Sequence, residues 1–112
     1  METRNGAAQD GSIIVKAEDT PTFNYLVSIY QKFKAGDAAV TLKGLGNAIH
    51  RVVYLAEGAK ERFGCTEKEI HSFTVLHKFN GKEEKVMGLR YTILPGADTM
   101  KKLEAWSEQA KR

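Results

Sequence analysis

Apolar side chains recur along the chain at spacings that change from one segment to the next. In residues 22–34 and again in residues 47–63 they lie three and four positions apart, which is the period of an amphipathic helix. In residues 39–43 and 69–79 apolar and polar side chains alternate, as they do along a strand with one buried face. The pattern therefore predicts a helix, a strand, a second helix and a second strand, in that order.

Three more elements are predicted around this series. The β-branched residues 13–15 indicate an opening strand, and Thr20 and Pro21 are expected to cap and begin the first helix. Asn80-Gly81 is the strongest hairpin signal, because both residues tolerate the positive φ of a type I′ turn, and the alternating residues 86–93 supply its partner strand. Asp98 or Thr99 is expected to cap a last helix, in which Met100, Leu103 and either Trp106 or Ser107 share one face. Its other positions are strongly polar, with Lys101, Lys102, Glu104 and Glu108.

The order βαβαββ followed by a helix predicts a two-layer α/β fold. Two helices packed against one face of a mixed four-stranded sheet bury the apolar faces and leave the other side of the sheet partly open. A chain of 112 residues has room for one such core. We expect a disordered tail over residues 1–11, one domain over residues 12–95 and a C-terminal helical extension over residues 96–112.

Composition limits the classes of function that the protein can have but does not define one. Hydrophobic residues make up 42% and charged residues 28% of the chain, which is typical of a globular protein. The net charge of +3 favours anionic partners, nucleic acid more than membrane. Cys65 is the only cysteine and no run approaches about 20 apolar residues, so we expect no disulfide, no signal peptide and no membrane span. The expected location is the cytoplasm, the nucleus or both.

Candidate catalytic or metal-binding residues are few. His50, His71 and His77 have no HExxH or CxxC companion, and no local signature of a catalytic nucleophile is present. Lone histidines usually lie on surfaces or make ordinary hydrogen bonds. The sequence therefore predicts neither an enzyme nor a bound metal or cofactor.

Residues 44–46, Gly-Leu-Gly, are expected to break the second strand and lead into the second helix. They form half of a phosphate-binding motif, since the third glycine of a dinucleotide fingerprint and the Gly-Lys-Ser/Thr of a P-loop are missing. By themselves they predict a tight turn. Lys43 precedes them, and His50 and Arg51 lie one turn into the helix, beside the positive end of its dipole. This combination suits the phosphate backbone of a nucleic acid.

A second cluster of basic residues lies along the two strands of the predicted hairpin. A two-stranded arm that carries cations can contact phosphates at several points along a groove. Lysines also protect exposed strand edges from aggregation, and Glu83-Glu84 near the tip repel phosphate, so both interpretations of the cluster stay open. Its members are His77, Lys78, Lys82, Lys85 and Arg90.

Two short motifs carry a resemblance to a known family. Residues 21–25, Pro-Thr-Phe-Asn-Tyr, and residues 42–51, Leu-Lys-Gly-Leu-Gly-Asn-Ala-Ile-His-Arg, resemble the Alba family of chromatin and RNA-binding proteins. Ala56-Glu57 and the closing hairpin extend the resemblance over residues 12 to about 94. The Gly-Leu-Gly-x-Ala-Ile-x-Arg form is similar to the eukaryotic branch, which includes protein subunits of the ribonuclease P and MRP particles.

The resemblance implies a fold like the C-terminal domain of a bacterial translation initiation factor, a homodimer or a heterodimer with another Alba-like protein, and binding of RNA or DNA. Archaeal members usually carry a lysine pair where this chain has Asp19 and Thr20, and arginines at the positions of Leu45 and Asn47. Fewer cations weaken binding to duplex DNA, and Leu45 or Phe79 would pack against unpaired bases, so RNA is favoured. The expected nucleic-acid-binding residues are Lys43, Gly44, Leu45, Gly46, Asn47, His50, Arg51, Lys78, Lys82, Lys85 and Arg90.

Two functions are consistent with these residues. The first is a non-catalytic RNA-binding dimer that uses the strand-to-helix loop and the hairpin arm. The alternative is a dimerisation or scaffold subunit whose Alba-like partner supplies most of the nucleic-acid contacts. The acidic pairs Glu18-Asp19 and Glu83-Glu84 favour the alternative, because they oppose phosphate binding.

Overall fold

The computed structural model describes residues 11–18 and 20–110, and it confirms the predicted order of elements. Residues 1–10, which hold nearly all of the predicted tail, and residues 19, 111 and 112 lie outside the described residues. The strands are β1 (Ile13–Ile14), β2 (Val40–Leu45), β3 (Thr66–Phe79) and β4 (Lys82–Leu94). The helices are α1 (Thr22–Lys34), α2 (Ala48–Phe63) and α3 (Thr99–Ala110).

The four strands form one mixed sheet in the order β1-β2-β4-β3. β1 runs parallel to β2, and the other two pairs are antiparallel. β2 pairs with β4 only as far as Gly88, whereas β3 and β4 stay paired up to Phe79 and Lys82 at their turn. Residues 74–87 therefore project beyond β2 as a two-stranded arm. The positive φ angles of Asn80 (52°) and Gly81 (80°) confirm the residues predicted for its turn.

Alternation along β2 and β4 separates a face covered by helices from an open face. Leu42 of β2 and its cross-strand partner Tyr91 of β4 are buried beneath the helices. On the opposite side of the sheet, which we call the open face, the hydroxyl groups of Thr41 and Thr92 share a hydrogen bond of 2.8 Å. The core beneath the helices is completed by Ile13, Tyr25, Ile29, Val40, Val52, Leu55, Ala59 and Ile93.

β2 continues through Gly44 and Leu45, where a break was predicted. Gly44 pairs with Leu89 of β4, and the turn into α2 is made by Gly46 and Asn47 instead. The glycine at position 44 is required by packing rather than by a turn. A Cβ on Gly44 would lie 2.7 Å from Cγ2 of Val52, so only a residue without a side chain lets α2 approach the strand this closely.

Replacing Gly44 with Ala is expected to lower the free energy of unfolding by about 1–3 kcal/mol, since the added methyl overpacks the interface between β2 and α2. Urea denaturation measures the change. Gly58→Ala is the matched control, because a Cβ there would meet no described atom within 4 Å. That variant is expected to gain up to about 1 kcal/mol from its higher helix propensity. An unchanged free energy in Gly44→Ala would contradict the close approach of α2.

α1 begins one residue later than predicted. Pro21 is its N-cap, with extended backbone angles (φ −62°, ψ 146°), so the prediction that Thr20 caps the helix is wrong. The carbonyl oxygen of Pro21 accepts the N–H of Asn24 at 3.0 Å in the first turn. Thr20 offers its carbonyl oxygen to the guanidinium of Arg51 on α2 instead.

α3 packs against α1 and α2 and completes the helical layer. Leu103 is fully buried in the core, and Met100 and Trp106 pack against it. The ring of Trp106 lies 5.4 Å from that of Phe23 on α1 and 6.0 Å from that of Phe63 on α2, measured between centroids. The C-terminal helix is therefore part of the folded core. Among the helices of the described residues, none has the length and apolar character needed to cross a membrane.

A polar cluster ties one flank of α2 to the sheet. The hydroxyl of Tyr91 on β4 donates to the carboxylate of Glu57, and Nζ of Lys60 donates to that hydroxyl at 3.0 Å. Lys60 also pairs with Glu57 at 3.2 Å and with Glu67 of β3 at 3.4 Å. Hydrogen bonds from Tyr91 and Lys60 lower the pKa of Glu57. The cluster fixes which flank of α2 faces β4 and β3.

Candidate nucleic-acid interface

The strand register brings basic residues from three strands into one row on the open face. Lys43 of β2 lies opposite Arg90 of β4, which in turn lies opposite His71 of β3. All three point away from the helices, because they alternate along their strands with residues of the covered face such as Leu42 and Tyr91. We call the row of Lys43, Arg90 and His71 the basic rung.

An apolar row, the apolar rung, lies next to the basic rung and consists of Leu45, Gly88 and Phe73. A Cβ on Gly88 would lie 2.4 Å from Cζ of Phe73 and 2.7 Å from Cδ2 of Leu45, so the two side chains meet over the glycine. Nζ of Lys43 lies 5.3 Å from the centroid of the Phe73 ring, within the range of a cation–π contact. The two rungs therefore form one mixed surface.

The basic cluster predicted for the hairpin is divided between the two faces of the arm. Lys82 lies on the open face, in the same alternation as the rungs. Lys78 and Lys85 lie on the opposite face, which continues the helix-covered side of the sheet. Lys78 is directly opposite Glu83, and such a cross-strand pair offsets part of the positive charge near the tip. Of the three arm lysines, Lys82 therefore lies on the same face of the sheet as Lys43, whereas Lys78 and Lys85 do not.

The turn from β2 into α2 leaves the start of the helix open to an anion. Gly46 adopts a left-handed φ of 56°, and among the described residues Asn47 makes no side-chain capping hydrogen bond. The first turn of α2 holds no acidic residue, and its His50 is exposed. N–H groups and the dipole at a helix N-terminus attract anions, so the turn beyond Leu45 suits a phosphate.

Arg51 is held by the protein itself. Its guanidinium donates hydrogen bonds to the carbonyl oxygens of Lys16, at 3.1 Å, and of Thr20. It also lies over the ring of Tyr25, 5.1 Å from the centroid. The side chain fastens the loop between β1 and α1 onto α2, whereas Lys43 lies on the open face of the sheet. The two cations that sequence spacing grouped together therefore point to different sides of the domain.

The structure distributes the predicted site residues over several surfaces. The open face brings together Lys43, Leu45 and Arg90 and also carries Lys82 near the tip of the arm, and the turn holds Gly46, Asn47 and His50. Gly44 faces α2, Arg51 binds the loop before α1, and Lys78 and Lys85 lie on the far side of the arm.

His71 and Phe73 belong to the open surface, although sequence reasoning did not place them in the site. The signal that finds them is the two-residue turn Asn80-Gly81, because the register of a hairpin follows from its turn. Counting outward from that turn pairs Phe73 with Gly88 and His71 with Arg90, as the structure shows. The side chain of Phe79, which was expected to pack against bases, lies outside the described part of the chain.

The fold and this surface define a small mixed α/β domain whose uncovered sheet face carries a row of basic side chains beside an uncapped helix start. The chain belongs to the Alba family, whose model matches residues 12–86. The resemblance noted in the motifs is thereby confirmed at the level of the family.

Two solved structures show the same fold. Alba from Thermoplasma volcanium is 22% identical, with a TM-score of 0.64, and the match covers 72% of this chain and 98% of that one. ALBA1 from Trypanosoma brucei is 16% identical, with a TM-score of 0.74 over 98% of this chain and 86% of that one. These likenesses confirm the predicted fold class. Among curated proteins no significant match is found.

Proposed function

We propose that this protein is a non-catalytic nucleic-acid-binding protein that prefers RNA to DNA. Proteins of the Alba family are in general non-catalytic binders of nucleic acid. The observation that carries the proposal is the basic rung, because Lys43 and Arg90 lie side by side on an open sheet face. The start of α2, which has no side-chain cap among the described residues, follows in the chain after Leu45 of the next rung. Neighbouring cations of this kind neutralise successive phosphates.

The preference for RNA is supported by the residues beside the basic rung. Leu45 is 44% exposed at the turn, at a position where the archaeal proteins that this chain resembles carry a cation. The exposed Glu18 adds negative charge to the loop before α1. Fewer cations weaken binding to a duplex, whereas apolar and aromatic side chains are the groups against which unpaired RNA bases pack. The Gly-Leu-Gly-x-Ala-Ile-x-Arg form supports a place in the eukaryotic, ribonucleoprotein-associated branch of the family.

We further propose that the protein acts as a dimer through the corner between α2 and the arm. Glu57 holds its flank of α2 against Tyr91 of β4. Val53 lies four residues earlier and therefore on the same flank. Together with exposed residues on the helix side of the hairpin it forms what we call the apolar corner, which consists of Val53, Ile70, Leu76 and Met87.

A second Alba-fold chain is the occupant that fits the apolar corner. A two-stranded hairpin alone is marginally stable in water, and beyond Met87 the residues on the helix side of the arm are exposed. Exposed apolar side chains clustered on one face mark interaction sites. Pairing with a second copy or with an Alba-like paralogue would bury the same four side chains, and the oligomeric state of the purified chain distinguishes the two.

Lys43→Ala is expected to weaken RNA binding about tenfold at low salt, because one charged contact to phosphate is lost. The slope of log affinity against log salt should flatten by about 0.7 for a single strand. Fluorescence anisotropy with a labelled single-stranded RNA, repeated at several salt concentrations, measures both quantities. Arg90→Ala tests the same rung from the neighbouring strand.

The control for this series is Lys101→Ala on α3, which removes one exposed lysine far from the sheet and should leave binding unchanged. Arg51→Ala is unsuitable as a matched variant, since it also releases the loop before α1. Wild-type affinity and slope in both Lys43→Ala and Arg90→Ala would overturn the basic rung as the binding surface.

The alternative is a scaffold subunit whose Alba-like partner supplies most of the nucleic-acid contacts. It is favoured by the cross-strand pairing of Lys78 with Glu83 and of His77 with Glu84, which reduces the positive charge at the tip of the arm. This alternative requires that the chain alone fails to bind RNA at low salt and gains binding when mixed with a basic Alba-like chain. In either role we propose that it works in the cytoplasm, the nucleus or both.

A further inference from the structure

We propose that the open face of the sheet is a stacking site for an unpaired base, with Phe73 as the platform and Lys43 and Arg90 as the contacts for the flanking phosphates. The ligand is single-stranded RNA. This inference rests on the proposed function and deepens it, because it states which form of RNA is bound and which aromatic side chain selects it.

The Phe73 ring is held in place by its neighbours on the sheet. Its distal edge rests on Gly88, since a Cβ there would lie 2.4 Å from Cζ and 2.5 Å from Cε2 of the ring. Leu45 closes the other side of the glycine and is itself substantially exposed. The ring remains half-buried, so part of its surface is open on the side of the sheet that the described helices leave uncovered. A fixed aromatic ring loses little freedom when a base stacks on it.

The positive charge of the basic rung, next to Phe73, is complementary to the phosphate backbone of a nucleotide stacked on that ring. Lys43 already lies over the ring with Nζ 5.3 Å from the centroid, and Arg90 is its direct cross-strand neighbour. Successive rungs on one face of a sheet lie about 6.6 Å apart, so a base on the apolar rung brings its phosphates to the basic rung. The flexible lysine side chain can move from the ring to a phosphate. Among the described residues, two acidic ones share the open face: Glu69 lies one rung from the basic rung on the side away from Phe73, and Glu84 lies three rungs away toward the arm tip.

A single strand fits this surface better than a duplex does. Bases inside a duplex are stacked on one another and cannot lie on a side chain, whereas unpaired bases stack readily on aromatic rings. The side chains of the open face lie on a sheet rather than on projecting loops, so they form a platform on which an unpaired base can lie. Val86 and Val75 continue the apolar surface for one more rung toward the arm.

The test compares Phe73→Leu with the wild-type protein on two probes, a single-stranded RNA of mixed sequence and a fully paired RNA duplex of the same length. Loss of one stacked base should weaken single-strand binding by about 5- to 100-fold. The salt slope should stay at the wild-type value, because no phosphate contact is removed. Affinity for the duplex should not change. Tyr54→Leu is the matched control, since it removes a more exposed aromatic ring from the outer side of α2.

The salt slope separates failure of this inference from failure of the proposed function. Wild-type single-strand affinity in Phe73→Leu, with reduced affinity and slope in Lys43→Ala, overturns the stacking site and leaves the proposed function standing. No RNA binding by the wild-type protein overturns both. Photocrosslinking of wild-type protein to RNA containing 4-thiouridine gives a second measurement that needs no variant. A crosslink on the peptide that contains Phe73 supports the site, and crosslinks confined to the arm tip or the α2 turn overturn it.

Discussion

Replacing Leu103 with Ala is expected to lower the free energy of unfolding by about 2–5 kcal/mol, a large part of the stability of a domain of this size. The side chain is 0% exposed, so the substitution removes buried methyl groups and leaves a cavity at the junction of α3 with the core. Trp106, one turn later, would lose part of its support against Phe23 and Phe63. Urea denaturation followed by tryptophan fluorescence reports on the site directly.

The control for this prediction is Lys101→Ala on the same helix. Its side chain is exposed, and the change should stay within about 0.5 kcal/mol. If Leu103→Ala loses less than about 1 kcal/mol, α3 is an appendage of the domain and the packing of Trp106 adds little to stability.

Local pattern predicted the helices, the strands and the hairpin, because each is encoded within a short stretch of sequence. The two-residue turn Asn80-Gly81 also contained the register of β3 with β4, and with it the positions of Phe73 and Lys82 on one face. The prediction that the arm lysines form one cluster did not take that register into account. Strand alternation places Lys78 and Lys85 on the other side.

Tertiary contacts decide the features that the sequence could not show. Gly44 was interpreted as part of a turn, but the proximity of Val52 makes it a packing glycine within β2. In the sequence Arg51 looks like an arginine that binds phosphate. Only the structure shows that its guanidinium N–H groups donate to carbonyl oxygens of the loop before α1. The polar composition of α3 likewise hid the fact that one fully buried leucine and Trp106 are enough to dock it.

These differences move the candidate nucleic-acid-binding site from a loop to the open face of the sheet. Spacing along the chain placed Lys43 and Arg51 together beside a glycine turn. The structure instead joins Lys43 to Arg90 across strands and sets Phe73 next to them. Cations that are distant in sequence meet because antiparallel pairing aligns them, and the proposed path of a phosphate backbone follows this alignment along the open face.

Placing a charge in the apolar corner is expected to convert the proposed dimer into a monomer. Met87 is 61% exposed on the helix side of the arm, so Met87→Glu and Met87→Lys should each leave the free energy of unfolding of the monomer within about 0.5 kcal/mol of the wild type. In a dimer the same charge would be buried without a partner, which costs several kcal/mol and raises the dissociation constant by more than about 100-fold. Analytical ultracentrifugation measures the change in mass.

The two variants together separate dimerisation from electrostatics in RNA binding. Linked sites in a dimer gain affinity by about 100-fold or more over a single site, and a monomer loses that gain whichever charge it carries. If only local charge mattered, Met87→Lys would bind RNA more tightly and Met87→Glu more weakly. We expect both variants to bind more weakly. A monomeric Met87→Lys that keeps wild-type affinity would show that one chain suffices, and a wild-type protein that is monomeric at high concentration would show that the apolar corner needs a different Alba-like partner.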